Sequence, residues 1–344
     1  MTAYRFLPEW QEFIEKCIDT RPDDGLLRSI GIALVTLGLV SQAAADTATL
    51  RTVSAFSSGT AIPHTFEMFL DEIRNDPDAP VEINFIGGPE TMPPFQVGNA
   101  VSHGVVDMAF VTSAYYTSSL PAAHALNLTR YSPEELRKTG RFEQLQEIWR
   151  EQLNVHYLAY TNYGNSFHLY LNEPISGPEL NGLRMRVTPV YRAFVEAMGG
   201  EAAQTPPGEV YTALERGTVD GYGWPIQGIF DLGWQEHTRY RVEPGFYHVE
   251  VGVLVNQNTW NNLTNEQRDY LTEKAIWLEE LNGLNEEINA EEKRRQDEAG
   301  IEVIELEGEV REHFLEMAYE VQWERLAQEH ADNAERLREV LDSE

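Results

Sequence analysis

Short apolar runs alternate with amphipathic stretches along the first part of the chain. The runs have the length of buried strands and lie at residues 50–56, 81–87 and 105–111. The stretches between them predict helices, the first with Phe66, Phe69 and Ile73 at helical spacing and the second at residues 95–103. A strand–helix–strand–helix–strand order predicts a parallel sheet with helices on its faces.

The remainder of the chain predicts more helix, interrupted by strands. Predicted helix lies at residues 130–154, and predicted strands lie at 155–160, 167–172 and 301–306. Thr264 and Gln267 have the spacing of a capping box, and they begin a helical stripe that continues to Gly300. A final helix carries Phe314 and Val321 after the last strand. A strand so late in the chain predicts that the chain crosses back to pair with an earlier sheet.

One strand carries two arginines on the same face. Leu183, Met185 and Val187 alternate with Arg184 and Arg186, and alternate residues of a strand point to opposite faces. A guanidinium group matches a carboxylate with two parallel hydrogen bonds. The pattern therefore fits a site for a small carboxylate, and it equally fits two arginines that pair with the abundant surface acids.

The residues after this strand predict a helix whose beginning favours an anion. Thr188 is a suitable N-cap, Pro189 suits the first helical position, and the pair Gly199 and Gly200 ends the helix. The N-terminus of such a helix offers backbone donors and a favourable dipole to a negative charge.

Two aromatic segments lie at predicted strand ends. Trp224 follows glycines that allow a ligand to approach the backbone, and it fits either a ligand-facing wall or a core tryptophan beside a tight turn. Tyr115 and Tyr116 come just after the strand at 105–111, where open α/β sheets bind ligands. Their rings fit packing equally well.

One short sequence pattern, the internal echo, occurs twice in the chain. Residues 100–108 and 213–221 share the pattern A-apolar-x-x-G-x-V-D, which predicts a helix end, a glycine turn and the start of a strand in both places. One short match is too little for a solenoid repeat. It suggests two parts with similar local architecture.

Residues 21–45 have the pattern of a secretory signal peptide. Two arginines precede an apolar run at residues 30–40, and small residues lead to an A-x-A cleavage site before Asp46. The run is too short for a stable membrane anchor, although a buried helix or a short anchor has the same pattern. Cleavage removes Cys17, the single cysteine, so the mature chain has neither a disulfide nor a thiolate. Export without disulfides suits a bacterial envelope, and we expect no direct membrane insertion after cleavage.

Charge and motifs exclude several functions. The formal net charge is −30 and only four residues are lysine, which argues against nucleic acid and anionic membranes because both attract basic surfaces. The sequence has no G-x-S-x-G elbow, no H-E-x-x-H motif and no P-loop. We expect no catalytic residue, no metal and no cofactor.

Residues 179–225 carry two linked motifs. L-N-G-L-R-M-R-V is followed by E-V-Y-T-A-L-E-R-G-T-V-D-G in the same order and at suitable spacing. In both motifs the chain resembles the solute-binding proteins of TRAP transporters, the tripartite ATP-independent periplasmic systems. The resemblance extends from about residue 50 to the end.

The resemblance implies a fold and a mode of action. The fold is α/β, two-lobed and periplasmic-binding-protein-like, with mixed, mostly parallel sheets and a hinged cleft. Residues 1–45 are an N-terminal extension with the signal peptide. Residues 46–168 plus about 246–298 form lobe I, and residues 169–245 plus about 299–344 form lobe II. Such a receptor captures a small organic acid and delivers it to the small and large membrane subunits of an ion-gradient-driven permease.

The resemblance also suggests individual site residues. The arginine that pairs with the ligand carboxylate falls on Arg186, which leaves Arg184 as a structural partner. Members that bind keto acids have a tryptophan at the position of Trp224, preceded by a metal-binding glutamate. Gly223 stands in place of that glutamate, which puts a bound metal in doubt.

A second arginine of some members falls on Phe167, with His168 beside it. Because a buried second carboxylate would then lack a partner, a monocarboxylate or 2-oxo acid is favoured over a dicarboxylate. The remaining candidates for the site lie at strand ends or beside the cleft, and they are Tyr115, Tyr116, Glu90 and Asn256.

Two alternatives to a transport receptor stay open. A sensory receptor that presents its ligand to a kinase uses the same fold. A secreted α/β hydrolase or lyase needs a positioned nucleophile or base, and the sequence offers none that can be assembled.

Overall fold

The computed structural model describes residues 47–343. The predicted signal peptide and its cleavage site lie outside the described residues. Within them, no helix combines the length and the hydrophobicity needed to cross a membrane.

Eleven strands of the described chain form two mixed sheets. The strands are β1 (Ala48–Ser54), β2 (Val81–Gly87), β3 (Met108–Val111), β4 (Val155–Thr161), β5 (Ser166–Leu171), β6 (Arg184–Val187), β7 (Glu201–Gln204), β8 (Gly221–Pro225), β9 (Tyr240–His248), β10 (Val251–Asn256) and β11 (Glu302–Glu305). The first sheet has the order β2-β1-β3-β10-β4, and the second has the order β11-β9-β5-β8-β6-β7.

The helices cover the faces of these sheets. They are α1 (His64–Asn75), α2 (Pro94–Ser102), α3 (Pro133–Lys138), α4 (Arg141–Leu153), α5 (Arg192–Ala197), α6 (Pro207–Glu215), α7 (Gln257–Asn262), α8 (Asn265–Glu280), α9 (Asn285–Glu298), α10 (Gly308–Glu329) and α11 (Ala331–Leu341). Helix α1 buries the predicted apolar stripe, and the ring of Phe66 stacks on Phe110 of β3 with centroids 4.5 Å apart.

The predicted parallel arrangement of the first three strands is confirmed. Strand β1 pairs in parallel with both β2 and β3, whereas β10 inserts antiparallel between β3 and β4. In the second sheet, β6 pairs in parallel with β7 and β8, and β5 lies antiparallel to β8 and β9. The late strand β11 pairs with β9, so the predicted return of the chain to an earlier sheet is also confirmed.

Two of the places where the described chain passes between the sheets are neighbours. Residues 162–165 join β4 to β5, and residues 249–250 join β9 to β10. The two crossings contact each other, because the Val249 amide donates to the Asn165 carbonyl oxygen at 2.9 Å. This arrangement divides the described chain into two lobes with a cleft between them.

The C-terminal helices return to the first sheet's side of the cleft. Helix α10 packs against α5 and against residues 121–128, and α11 packs against residues 121–128 and α4. The resemblance implies that residues from about 299 to 344 belong to lobe II. The lobe boundaries stay a prediction.

Three predicted elements differ from the structure in their bounds. The strand expected from residue 105 begins at Met108, since Gly104 turns the chain with a φ of +72°. The helix expected at 130–154 is divided into α3 and α4 by Gly140, which has a φ of +73°. The stripe that begins at the Thr264 capping box is divided into α8 and α9 by a 3-10 turn at residues 281–284.

The internal echo corresponds to the same three-dimensional contact in both sheets. In the first, the Arg51 amide donates to the Asp107 carboxylate at 2.9 Å, and the Asp107 amide returns a bond to the Arg51 carbonyl. In the second, Arg184 and Asp220 repeat both bonds, with 2.8 Å for the first. Each arginine side chain also donates to the carbonyl of the glycine turn, at 3.3 and 2.8 Å. Arg184 therefore joins a strand to a turn.

Candidate functional site

A cavity lies between the two sheets. It comprises about 330 Å³ that protein atoms leave empty, including the part open to solvent. Its walls are largely apolar and aromatic, and they are formed by Phe56, Ile62, Thr112, Ala114, Tyr115, Phe167, Thr188, Trp224, Pro225, Val249 and Val251. None of these eleven side chains is charged.

The carboxyl ends of parallel strands supply much of this wall. Phe56 follows β1, Thr112 follows β3, Thr188 follows β6, and Trp224 lies near the end of β8. Open α/β sheets bind ligands at this end of their strands. Val249 completes the wall from the crossing between β9 and β10.

Arg186 lies directly behind this wall and is fully buried. Its Nε donates to the Thr205 carbonyl at 2.9 Å, and its Nη1 donates to the Tyr191 hydroxyl at 3.1 Å and to the Gly223 carbonyl at 3.2 Å. The Cζ atom lies 5.3 Å from the ring centre of Trp224, within the range of a cation–π interaction. Strand β6 thus holds the guanidinium group against a wall residue.

The guanidinium group keeps one nitrogen without a partner. Nη2 of Arg186 is buried and has no hydrogen-bond acceptor in the described part of the chain. Each acceptor of the other nitrogens is neutral, and no carboxylate of residues 47–343 forms an ion pair with this arginine. A buried charge without a counter-charge is costly. An anion in the cavity would relieve that cost.

Two neutral wall residues also present unused polar atoms. The indole Nε1 of Trp224 and the hydroxyl Oγ1 of Thr188 are buried and lack partners among the described residues. Thr188 was expected to cap a helix with this hydroxyl, and that expectation is wrong. The helix begins as a 3-10 turn at Pro189–Tyr191 without a side-chain cap, and α5 then has only six residues. The element is too short for the helix dipole to contribute as the sequence suggested.

Tyr115 closes the cavity on the side of the first sheet. Its ring contacts Phe56 and Phe95, with centroids 5.8 and 4.7 Å away. Burial raises the pKa of the Tyr115 hydroxyl to about 12, although the charge of Arg186 opposes this rise. The hydroxyl group therefore stays neutral at physiological pH and does not repel an anion.

Phe167 lines the cavity from β5, as the sequence suggested, and its ring lies 5.4 Å from that of Tyr191. His168 points to the opposite face of the strand, as alternation requires. It contacts the Glu243 carboxylate at 3.3 Å and the Ser166 carbonyl at 3.1 Å. These contacts place His168 in a buried polar cluster outside the cavity.

Three further candidates have contacts away from the cavity. Tyr116 is buried on the other side of its loop, where it accepts a hydrogen bond from the Trp149 indole at 3.1 Å. Asn256 caps α7 at the opposite end of the first sheet. Glu90 is exposed and binds the amide of Gly88 at 2.6 Å. We therefore leave these three out of the site.

Several wall residues carry no chemical signal in the sequence. Phe56 is the last residue of one predicted strand and Thr112 follows another, so their position at the carboxyl ends is the available signal. Val249 lies in the crossing between β9 and β10, and Val251 begins β10. The sequence gives no signal for Tyr191, which contacts Arg186. Its hydroxyl group bonds to Gly223, 32 residues later in the chain, and only the folded structure brings the two together.

The sequence profile of one family matches most of the described chain. The profile of the bacterial extracellular solute-binding proteins, family 7, covers residues 53–329. The chain belongs to this family. The expected resemblance to TRAP solute-binding proteins is confirmed, and the family consists of extracytoplasmic receptors rather than enzymes.

Relatives in this family bind different compounds. A monocarboxylate 2-oxoacid-binding periplasmic protein of Nostoc sp. is 28% identical over 191 residues, which are 52% of each chain. The C4-dicarboxylate-binding periplasmic protein of Rhodobacter capsulatus is 30% identical over 134 residues, 38% of this chain and 40% of its own. The match thus spans about half the length of the first relative and less of the second.

Solved TRAP solute-binding proteins share the fold. One from Desulfovibrio salexigens, with bound orotic acid, superimposes with a TM-score of 0.74 at 20% identity, covering 85% of this chain and 97% of its own. One from Bordetella bronchiseptica contains calcium and picolinate, with a TM-score of 0.74 at 22% identity, covering 86% and 92%. The predicted two-lobed α/β fold is therefore confirmed for this family member.

The residues of this chain do not fit a metal at the corresponding tryptophan. A Cβ atom on Gly223 would lie 2.5 Å from Cε2 of Tyr191, so residue 223 has no room for a metal-binding side chain. Among the side chains that the structure describes, no three His, Cys, Asp or Glu residues come together as a metal site.

Proposed function

We propose that this receptor binds small organic monocarboxylates, 2-oxo acids among them, in the inter-lobe cavity. The observation that carries the proposal is the unpartnered Nη2 of buried Arg186 behind an apolar wall. A carboxylate in the cavity supplies the missing negative charge and accepts from this nitrogen.

The charge of the cavity supports one carboxylate rather than two. Arg186 lies behind the wall, and none of the eleven wall residues is charged. Phe167 occupies the position of a second arginine in some members, and it presents an aromatic ring. A second ionised carboxylate against this ring would lose its hydration without gaining a partner.

Two neutral polar atoms of the cavity wall favour a ligand that has a hydrogen-bond acceptor in addition to its carboxylate. Trp224 Nε1 donates a hydrogen bond, and Thr188 Oγ1 donates or accepts one. A 2-oxo group provides an acceptor next to the carboxylate. Polyhydroxylated acids suit the cavity less, because its remaining surface is apolar and offers their hydroxyl groups no partners.

Delivery to a TRAP permease completes the proposed function. The family is a family of extracytoplasmic receptors, and the two crossings at residues 162–165 and 249–250 provide a hinge for opening the cleft. The partners would be the small and large membrane subunits of the permease. Uptake of the acid into vesicles that contain both subunits, with and without added receptor, tests this step.

A thermal-shift screen tests the ligand class. Residues 46–344 are screened with pyruvate, 4-methyl-2-oxopentanoate, 4-methylpentanoate, succinate and gluconate. An acid at 100 times its dissociation constant stabilises the folded state by about 2.7 kcal/mol. We expect the largest shift with the 2-oxo acids, a smaller one with 4-methylpentanoate, and the smallest with succinate and gluconate.

Matched arginine variants then locate the carboxylate. Arg186→Gln removes the buried charge, whereas Arg184→Gln changes the arginine two residues earlier on the same strand, which serves the Asp220 contact. We expect Arg186→Gln to weaken binding at least about 100-fold, since a charge-assisted pair is lost, and Arg184→Gln to leave affinity unchanged. Equal binding by Arg186→Gln and wild type would place the carboxylate elsewhere. A preference for succinate would refute the monocarboxylate assignment.

A further inference from the structure

Tyr191 connects the cation of the site to the neighbouring strand. Its side chain is fully buried, and its hydroxyl group donates to the Gly223 carbonyl at 2.6 Å while accepting from Arg186 Nη1 at 3.1 Å. The same Nη1 also reaches the Gly223 carbonyl, at 3.2 Å. Tyrosine, arginine and the backbone of β8 thus form a closed triangle of hydrogen bonds.

The hydrogen bonds to neighbouring residues occupy two of the three guanidinium nitrogens of Arg186. Nε of Arg186 is held by the Thr205 carbonyl, and Nη1 is held by Tyr191 and Gly223. Nη2 alone stays without a partner among the described residues. The planar group has little freedom to turn, because two of its three nitrogens are tied to atoms on three chain segments.

The triangle of hydrogen bonds requires a glycine at position 223, because the ring of Tyr191 fills the space of a side chain there. The ring lies where a side chain on residue 223 would stand, with 2.5 Å from the ideal Cβ position to Cε2. This contact brings the hydroxyl group within reach of both the Gly223 carbonyl and Arg186. A larger residue at 223 would push the ring away and break both bonds.

We propose that Tyr191 is a positioning residue that aims Arg186 so that Nη2 alone meets the carboxylate. This inference rests on the proposed function, because it assigns the contact through which the acid is bound. A carboxylate met by one nitrogen takes only one charge-assisted bond from the arginine. Its other oxygen then depends on neutral donors of the wall, of which the Trp224 indole is one.

The first test needs no ligand. In NMR spectra of protein labelled with ¹⁵N-arginine, slow rotation about the Cζ–Nη bonds separates the Nη signals of Arg186, which are assigned by their loss in Arg186→Lys. Tyr191→Phe keeps the ring and removes the hydroxyl group. We expect rotation to become about tenfold faster, equivalent to about 1.4 kcal/mol. Unchanged Nη signals would overturn the proposal.

The second test measures affinity for 4-methyl-2-oxopentanoate by calorimetry. We expect Tyr191→Phe to raise the dissociation constant about tenfold in the wild-type background and by less than about twofold in Arg186→Lys. This difference shows action through the arginine, which a merely structural role would not produce. Equal effects in both backgrounds would contradict the proposal.

A neighbouring tyrosine provides the control. Tyr222 is also buried on β8, and its hydroxyl group bonds to Thr238 at 2.7 Å rather than to Arg186. Tyr222→Phe should lower stability without changing affinity. If wild type fails to bind 4-methyl-2-oxopentanoate, the proposed preference for 2-oxo acids fails, while the NMR test still decides the role of Tyr191.

Discussion

Gly223 and Tyr191 fit against each other without room for a single additional carbon atom. An ideal Cβ on residue 223 would lie 2.5 Å from Cε2 and 2.7 Å from Cζ of the tyrosine ring. The contact lies directly beside Arg186, so the shape of the backbone at β8 and the direction of the cation depend on one another.

Gly223→Ala is therefore expected to destabilise the protein. Overpacking a close-packed interior costs about 1–3 kcal/mol, and urea denaturation measures the loss. In a Tyr191→Ala background, Gly223→Ala should cost less than in the wild-type background, since the clash is then absent. Gly208→Ala in α6 is the control, because nothing lies within 4 Å of its ideal Cβ, and it should be neutral or stabilising. A fully stable Gly223→Ala protein would contradict the packing.

The repeated arginine–aspartate contact predicts equal costs in the two lobes. Asp107 and Asp220 each accept from the backbone amide of a strand arginine, at 2.9 and 2.8 Å. We expect Asp107→Ala and Asp220→Ala each to lose about 1.5–3 kcal/mol, the range for hydrogen bonds to charged groups. Chemical denaturation checks this.

A surface pair provides the comparison for these two variants. Asp71 pairs with Arg74 on the exposed face of α1, and such pairs contribute about 0–1 kcal/mol. Asp71→Ala should therefore change stability less than either Asp107→Ala or Asp220→Ala. A large difference between Asp107→Ala and Asp220→Ala would show that the two contacts are not equivalent.

We expect the buried carboxyl group of Glu250 to make the stability of the protein depend on pH. This residue lies at the crossing between the sheets, fully buried, and its carboxylate accepts from the Ser113 amide at 2.7 Å and from the Tyr157 hydroxyl at 2.5 Å. Burial raises the pKa of Glu250 to about 7, although these hydrogen bonds oppose the rise.

The direction of the pH dependence follows from the raised pKa of Glu250. The folded state holds the proton more tightly than the unfolded state, so the stabilising contribution is complete below pH 4.5 and is lost as the pH rises through about 7. Glu250→Gln removes this loss. We expect its melting temperature relative to wild type to increase between about pH 4.5 and pH 8. Exposed Glu143→Gln gives the baseline. A difference that is flat with pH would refute a protonated Glu250.

Asp231 links the two sides of the cleft. Its carboxylate accepts from the amide of Ala61 at 2.8 Å. Ala61 precedes α1 on the first sheet, and Asp231 follows β8 of the second sheet. Opening the cleft separates these segments and breaks the bond. We expect Asp231→Ala to speed the dissociation of 4-methyl-2-oxopentanoate about 10- to 100-fold, as the loss of a hydrogen bond to a charged group implies.

Stopped-flow measurement of ligand release checks this prediction. Asp78→Ala is the control, because Asp78 is exposed in the turn that follows α1. This variant should leave the rate of ligand release unchanged. An unchanged rate in Asp231→Ala would mean that the contact with Ala61 contributes nothing to the closed state.

The sequence by itself determined most of the elements and the family. Local hydrophobic periods fix strands and helices, which is why β1 to β6 and the capping box at Thr264 agree with the pattern. Two linked motifs in residues 179–225 were sufficient to indicate the family that the profile confirms. Where glycines turned the chain, as at Gly140, the pattern alone overestimated the length of a helix.

Only the tertiary structure separated Arg184 from Arg186. The two share a strand face, and alternation cannot distinguish them. Burial and partners come from residues distant in sequence, since Asp220 binds the first arginine and Tyr191 and Gly223 hold the second. A local pattern specifies which side chains lie on one face, whereas the packing of separate segments decides which of them becomes a buried cation with a free nitrogen.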